Sequence, residues 1–198
     1  MKKTEKARCE WCQRTEKMRI YHDQEWGVPV YDDRKLFEFL VLDAFQAGLS
    51  WSTILNKREN FRRAFAEFIP GKVAHFNRRS VERLMADKGI VRNRQKIEST
   101  LSNARAFLKV QNEFGSFDTY IWRFVDGKPR QNRFRSEDQI PASTKQSDLM
   151  SQDLKERGFR FVGSTICYAF MQAAGMVNDH VLSCFRYAQI QKMGQAKK

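Results

Sequence analysis

The sequence of 198 residues has no long apolar run. Stretches such as Phe39–Leu42, which ends at Asp43, fall far short of the ~20 apolar residues that span a bilayer. The lysines near the start are not followed by an apolar segment, which argues against a secretory signal. The 4 cysteines are therefore more typical of metal ligands or core residues than of disulfides. We predict a cytoplasmic protein without membrane contact.

Acidic residues are also scarce relative to basic ones. The chain has 36 Lys and Arg against 23 Asp and Glu, a net charge of +13. Residues 57–109 hold 14 basic and 5 acidic side chains, a net +9, so most of the excess lies in this one segment. The distribution favours a polyanionic partner, with nucleic acid as the first candidate. The alternative is a generally basic surface.

Strand-like alternation is scarce, whereas helical spacing of apolar residues recurs along the chain. We therefore predict an all-α fold. The segment before about residue 30 has few helix signals, and residues 126–142 are expected to form an irregular connection. The predicted helices cover 36–47 with Asp32 or Asp33 as the cap, 50–68, 72–76, 80–87, 93–113, a helix from 116, 145–157, 164–174 and a last helix from near Asn178.

Five side chains are candidate ligands for a metal site that needs four. His180 and Cys184 are spaced i, i+4, which on a helix places both on one face. Cys9, Cys12 and His22 in the N-terminal segment could complete a Cys2His2 zinc site, with Cys12 competing with Cys9 or His22. Such a closed site would be structural and would join this segment to the last helix. The alternative is that His180 and Cys184 are ordinary core or surface residues.

Residues 84–97 resemble a helical hairpin that binds DNA. One helix ends, Gly89 and Ile90 form a tight turn, and a basic helix begins. Glycine permits a left-handed or closely approaching backbone, so amides at the next helix could face a phosphate. Arg92 and Lys96 are expected to add charge there, without reading sequence. The alternative is an ordinary corner between two helices.

Asp43 interrupts an otherwise apolar helix. Phe39, Leu40 and Ala47 share its face at helical spacing, so the carboxylate should point inward or line a cavity. A buried carboxylate without a partner is costly, so a hydrogen bond or an ion pair with an arginine is one interpretation. The other is an acid in a binding pocket, supported by nearby Gln46 and Trp51.

Five motifs carry a resemblance to a known family. The sequence resembles the 3-methyladenine DNA glycosylase I family from Cys9 to about Tyr187, and the motifs occur in the family's order. They are YHDQEWGVP (21–29), QAGLSW (46–51), KRENFR (57–62), GFRFVGSTICYAFMQAAG (158–175) and NDHVLSC (178–184).

The resemblance implies a helix-hairpin-helix glycosylase fold with a structural zinc. By position, the ligands would be Cys9, His22, His180 and Cys184, which leaves Cys12 outside the site. Tyr21 and Trp51 would stack on an extruded base, with Trp11 and Trp26 nearby. The implied organisation is a helical core over about 35–125, with the hairpin near 80–110, and a second lobe formed by 1–30 and 126–198.

The implied reaction is hydrolysis of the N-glycosidic bond of 3-methyladenine in double-stranded alkylated DNA by a monomer. It would release the free base and leave an abasic site. Strand cleavage is not expected, because the pocket motifs contain no lysine. The family's pocket carboxylate is typically Glu, and the matching residue here is Asp43, whose reach is shorter. An alternative is therefore a weakly active or non-catalytic protein of the same fold that binds alkylated DNA.

Overall fold

The described part of the chain is mostly helical, with two very short strands, which confirms the all-α prediction. A computed structural model describes residues 6–195. Its two short strands, β1 (Arg130–Gln131) and β2 (Val177–Asn178), form a parallel pair. The helices are α1 (Glu16–Gln24), α2 (Asp33–Gln46), α3 (Trp51–Ala64), α4 (Pro70–Ala74), α5 (Arg78–Ala86), α6 (Arg94–Phe114), α7 (Phe117–Ile121), α8 (Lys145–Glu156), α9 (Ser164–Ala173) and α10 (Phe185–Gln195).

Local backbone and side-chain features explain where α2 begins and where α3 ends. The Asp32 side chain accepts a hydrogen bond from the Lys35 amide at 2.8 Å and so caps α2. The predicted helix over 50–68 ends earlier, at Ala64, because residues 66–68 have φ between 51° and 58°, outside the right-handed helical region. A short 3-10 turn covers these three residues.

Two predictions about the chain ends were wrong. The N-terminal segment is helical, with a 3-10 turn over Glu10–Arg14 followed by α1, whose cap is the Thr15 side chain. The last helix begins at Phe185 rather than near Asn178, because residues 177–178 pair with β1 and a turn follows them. The i, i+4 spacing of His180 and Cys184 therefore does not arise from a helix.

A single hydrophobic cluster runs from Cys9 to Cys184. Phenylalanine rings from α2, α3, α6 and α7 form its centre, and the rings of Phe107 and Phe117 stack with centroids 3.9 Å apart. The cluster contains residues of both predicted lobes, whose division stays a prediction. Residues 1–5 and 196–198 of the second lobe lie outside the described part. No helix among the described residues has the length and hydropathy to span a membrane.

Lys96 has a structural position that differs from its predicted role. It is only 6% exposed, and its ammonium donates hydrogen bonds to the carbonyl oxygens of Phe45 at 3.0 Å and Ala47 at 2.5 Å. It thus satisfies the C-terminal end of α2 from the first turn of α6. The predicted contact between Lys96 and a phosphate is therefore wrong, because the side chain points into the protein.

We predict that Lys96→Met lowers the free energy of unfolding by about 2–4 kcal/mol, because two helix-end carbonyls lose a charged donor in a buried place. The salt dependence of DNA binding should keep its slope. Arg92→Met, which removes an exposed charge, should instead reduce the slope by about one unit without loss of stability. Denaturant unfolding and DNA titrations at several salt concentrations measure both. A stable Lys96→Met protein with a reduced slope would contradict this assignment.

Candidate functional site: an aromatic cavity beside a Cys/His cluster

A cavity of about 560 Å³ opens between the N-terminal segment, α2, α3 and α9. All four aromatic residues predicted for the pocket line it. The rings of Tyr21 and Trp51 lie 5.2 Å apart, and those of Trp11 and Trp26 lie 5.0 Å apart, measured between centroids. A cavity with walls of this kind suits a flat, polarisable ligand, and especially a cationic one.

Asp43 lines the same cavity. It is 4% exposed, and its Oδ2 accepts no hydrogen bond from residues 6–195. Burial raises the pKa of Asp43 well above the ordinary carboxyl value, with Arg58 opposing the shift. Neither a capping hydrogen bond nor an ion pair satisfies this carboxylate within the described chain, so the structure favours the pocket interpretation.

Within the described chain, Trp51 contributes a donor without a partner, where Asp43 contributes an acceptor without one. Its indole Nε1 is buried and has no acceptor among the described residues. Buried polar atoms in native proteins nearly always have partners, so an unpaired donor and an unpaired acceptor lining one cavity indicate groups reserved for a ligand.

An ion-pair network holds the wall of the cavity in place. The buried guanidinium of Arg58 donates to both carboxylate oxygens of Glu25, at 2.8 and 2.9 Å, and to Glu38 at 2.6 Å. Glu25 directly precedes Trp26. The hydrogen bonds to Arg58 and the positive charges of Arg58 and Lys35 lower the pKa of Glu25 despite its burial. Arg58 thereby fixes the end of α1, and with it the Trp26 side of the cavity, to α2 and α3.

The four predicted metal ligands come together next to this cavity. Cys9, His22, His180 and Cys184 are all buried, and their ligating atoms lie within 4.8 Å of one another. His180 and Cys184 meet across the turn before α10, with Nδ1 and Sγ 3.6 Å apart. The other separations are 3.8 Å from Cys9 Sγ to His180 Nδ1, 3.4 Å from Cys184 Sγ to His22 Nε2, and 3.2 Å between the two ring nitrogens.

These separations and the neighbouring groups fit a tetrahedral metal ion. Metal–ligand bonds of about 2.0–2.3 Å place the ligand atoms roughly 3.3–3.8 Å apart at the corners of a tetrahedron. The outward nitrogen of His22 lies 2.8 Å from Asp23 Oδ1, and that of His180 lies 3.1 Å from the Trp26 carbonyl oxygen. Donation of N–H to these acceptors leaves the inward nitrogens unprotonated, as ligation requires. The cluster can therefore hold a metal.

Cys12 lies outside the cluster. Its thiol is buried and donates to the Cys9 carbonyl oxygen at 3.0 Å. Burial raises the pKa of Cys12 to about 11, so at neutral pH it is a protonated core residue that supports the backbone of a ligand.

The predicted hairpin is present, between α5 and α6. Gly89 is not in the left-handed region, so of the two predicted reasons for a glycine here the close approach is the one that applies. An added Cβ would lie 2.9 Å from Asp87 Oδ1 and 3.0 Å from Asn60 Nδ2. Asn60 donates to the Gly89 carbonyl oxygen at 3.0 Å, and Lys57 donates to the carbonyl oxygens of Lys88 and Gly89 at 3.0 and 3.2 Å.

The far side of the hairpin is open. Within residues 6–195, the backbone amides of Val91 and Arg92 have no acceptor, and the Arg92 side chain is exposed. Ile90 is buried in the hydrophobic cluster, so it anchors the turn and contributes only its backbone to the surface. This arrangement can bind an anion through amides and one guanidinium.

Sequence reasoning missed several residues at the cavity. Glu137 and Ile140 come from the irregular connection, and Tyr168 and Gln172 come from α9. No motif marked Glu137, whose carboxylate accepts the Trp11 amide at 3.1 Å. Leu49, in the turn before α3, is 41% exposed beside the cavity residue Ser50, and only its place in the turn distinguishes it from other leucines.

The chain is similar to known proteins over nearly its whole length. The family model described as methyladenine glycosylase matches residues 11–187. DNA-3-methyladenine glycosylase 1 of Escherichia coli is 49% identical over 180 residues, which is 91% of this chain and 96% of that protein. DNA-3-methyladenine glycosylase of Haemophilus influenzae is 42% identical over 90% of this chain and 96% of that protein.

Solved structures agree with these sequence relatives. A crystal structure of a 3-methyladenine DNA glycosylase I superimposes with a TM-score of 0.88 at 50% identity, over 90% of this chain and 98% of that chain. The Staphylococcus aureus 3-methyladenine DNA glycosylase I, solved to explain 3-methyladenine recognition, gives 0.87 at 35% identity, over 90% and 95%. The aromatic cavity, the helical fold and the extent of these matches lead to one conclusion: the chain belongs to the methyladenine glycosylase family.

Proposed function

We propose that this protein hydrolyses the N-glycosidic bond of 3-methyladenine in double-stranded alkylated DNA, releasing the free base and leaving an abasic site. The observation that carries the proposal is the unpaired Oδ2 of Asp43 in an aromatic cavity, in a member of this family. Nothing in the folded chain satisfies this oxygen among the described residues, so its partner is expected to be the ligand.

The chemistry of the substrate matches these groups. A nucleotide methylated at N3 of adenine carries positive charge on the base, so the base is already an activated leaving group. Once flipped from the duplex, it would be attracted by the faces of Tyr21 and Trp51, and Asp43 would accept hydrogen bonds from its edge. Water then adds to C1′ and loses a proton, while the base takes the bonding electron pair and leaves neutral.

The DNA contacts follow from the open side of the hairpin. We place a phosphate at the Val91 and Arg92 amides, with the Arg92 guanidinium beside it. Leu49 projects from the turn next to the cavity and can enter the gap that a flipped base leaves in the stack, as apolar wedges do in other DNA complexes. The cavity-lining residues include no lysine within residues 6–195, which supports hydrolysis without strand cleavage.

Zinc is the metal that the Cys2His2 donor set fits best, in a structural role with all four positions filled by protein. When bound, it would supply a cross-link between α1 and the turn before α10. Because His180 also contacts the Trp26 carbonyl oxygen, this cross-link supports the cavity wall. A monomeric state and a cytoplasmic location stay predictions.

We predict that Asp43→Asn slows base release by about 10- to 100-fold, because a charge-assisted hydrogen bond is worth roughly 1.5–3 kcal/mol. The measurement is single-turnover release of 3-methyladenine from methylated duplex DNA. Asp43→Glu, which has the side chain typical of the family, should be at least as active as the parent. If the parent binds methylated DNA but releases no base, the protein is a binding protein rather than an enzyme.

Asp43→Asn should also unfold at a higher temperature than the parent at neutral pH. The pKa of Asp43 is raised in the folded state, so the stability contributed by its protonated form is present at low pH and is lost as pH rises towards the raised pKa. Asparagine cannot ionise and avoids this loss. A lower unfolding temperature, with unchanged activity per folded molecule, would make Asp43 a structural residue.

The zinc assignment predicts about one equivalent of zinc in the purified protein. Cys184→Ala should lose the metal and unfold at a lower temperature, since binding is linked to folding. Cys12→Ala is the matched control and should retain the metal, because its sulfur bonds only to a backbone carbonyl. Metal analysis and thermal unfolding test both. Loss of zinc from Cys12→Ala with retention in Cys9→Ala would show the ligand set to be wrong.

A further inference from the structure

Asp179 is a buried carboxylate that the proposed reaction does not use. It is 1% exposed and accepts three hydrogen bonds from neutral side chains: from the Tyr168 hydroxyl at 2.7 Å, from Gln172 Nε2 at 2.8 Å and from Asn132 Nδ2 at 2.7 Å. Tyr168 and Gln172 line the aromatic cavity. A buried group that binds two cavity residues can control what they present to a ligand.

The fold brings these residues together through the strand pair. Gln131 of β1 is opposite Asn178 of β2, so the next residues, Asn132 and Asp179, meet just beyond the pair. Gln172 lies near the end of α9, which packs against α2, the helix of Asp43. Asp179 therefore joins the irregular segment 126–142 to the α9 side of the cavity.

The hydrogen bond to Asp179 fixes the orientation of the Gln172 amide. A carboxylate surrounded by three donors acts as an acceptor, so the Gln172 group that faces it must be the NH2 group. The amide oxygen Oε1 then points away. It accepts no hydrogen bond from the described residues and is not a buried atom, and Gln172 is one of the residues that line the cavity.

We propose that Gln172 is a specificity-determining residue whose Oε1 accepts a hydrogen bond from the exocyclic amino group of a 6-aminopurine, and that Asp179 is the positioning residue that keeps this oxygen turned towards the base. This inference rests on the proposed function and extends it. With Oδ2 of Asp43, Gln172 gives the cavity acceptors on both α2 and α9. A base with an oxygen at position 6 would present lone pairs to these acceptors and be rejected.

The test compares two free bases that differ at position 6, 3-methyladenine and 3-methylhypoxanthine. Their affinities are measured by quenching of tryptophan fluorescence, since Trp11, Trp26 and Trp51 line the cavity. Gln172→Leu keeps the size of the side chain and removes the acceptor. It should weaken 3-methyladenine binding by about 10-fold and should not weaken 3-methylhypoxanthine binding, because the acceptor that repels the 6-oxygen is gone. Gln152→Leu is the matched control, because Gln152 is exposed on α8 and bonds only to Glu156.

Asp179→Asn tests the positioning role. An asparagine can offer its own NH2 to Gln172, which allows the glutamine amide to turn and present a donor to the cavity. The preference for 3-methyladenine should then fall by at least 10-fold, with a gain in 3-methylhypoxanthine affinity that mere loosening of the wall would not produce. Zinc content and thermal unfolding are checked, because Asp179 precedes His180. If this variant fails to fold, Gln172→Leu still decides the assignment of Gln172.

The outcomes separate this inference from the proposed function. If the parent releases 3-methyladenine from DNA and prefers it over the 6-oxo base, but Gln172→Leu keeps that preference, only this inference is overturned. If a folded Asp179→Asn protein loses affinity for both bases equally, the positioning role is overturned. If the parent neither releases 3-methyladenine nor binds it, the proposed function and this inference both fail.

Discussion

The rest of the structure depends on four buried side chains from opposite ends of the chain that direct their ligand atoms at one point. Cys9 and His22 belong to the N-terminal segment, and His180 and Cys184 to the turn before the last helix. Two imidazoles and two thiols buried together are costly unless something satisfies their lone pairs. The outward hydrogen bond of each imidazole already fixes its orientation, to Asp23 for His22 and to the Trp26 carbonyl for His180. The hydrogen bond between His180 and the Trp26 carbonyl thus connects the cluster directly to the wall of the aromatic cavity.

The cavity itself is organised around groups that the folded chain leaves unsatisfied. Asp43 and Trp51 give up hydrogen bonds that a core would normally supply, at a cost of about 1–3 kcal/mol for each unpaired group. The helix that carries Asp43, α2, contributes three of its phenylalanines to the hydrophobic cluster. Arg58 lies close enough to oppose the shift in the Asp43 pKa but bonds to Glu25 and Glu38 instead. The hydrogen bonds of Arg58 therefore lie around the cavity, whereas Asp43 and Trp51 within it keep polar atoms without a partner among the described residues.

Much of this could be predicted from the sequence, and the failures have identifiable causes. Helical spacing located α2 and α6 closely, and Asp32 and Asn93 cap them through their side chains. The ligand set came from a resemblance, whereas the reason given for His180 and Cys184 was wrong because the i, i+4 spacing occurs in a turn. Lys96 was misassigned because a lysine on a basic segment looks the same whether it faces solvent or two helix-end carbonyls.

The residues that sequence reasoning missed have roles that depend on tertiary contacts alone. Gln172 and Tyr168 lie on an apolar helix, and nothing in their spacing indicates that Asp179 orients them. Glu137 comes from a connection with no recognisable pattern. Such positions become visible only when the strand pair and the cavity are in place.

One turn of α3 contacts both functional regions. Lys57 and Asn60 bind the carbonyl side of the hairpin, and Arg58, between them, binds Glu25 beside the cavity wall. One helical turn thus links the surface that would grip the DNA backbone to the cavity that would receive the base. Because the protein sets the distance between them, a base that reaches the cavity has to leave the stack, and the deformation falls on the duplex. Lesions that already weaken local stacking would then be the easiest to extract, before any contact with the base is made.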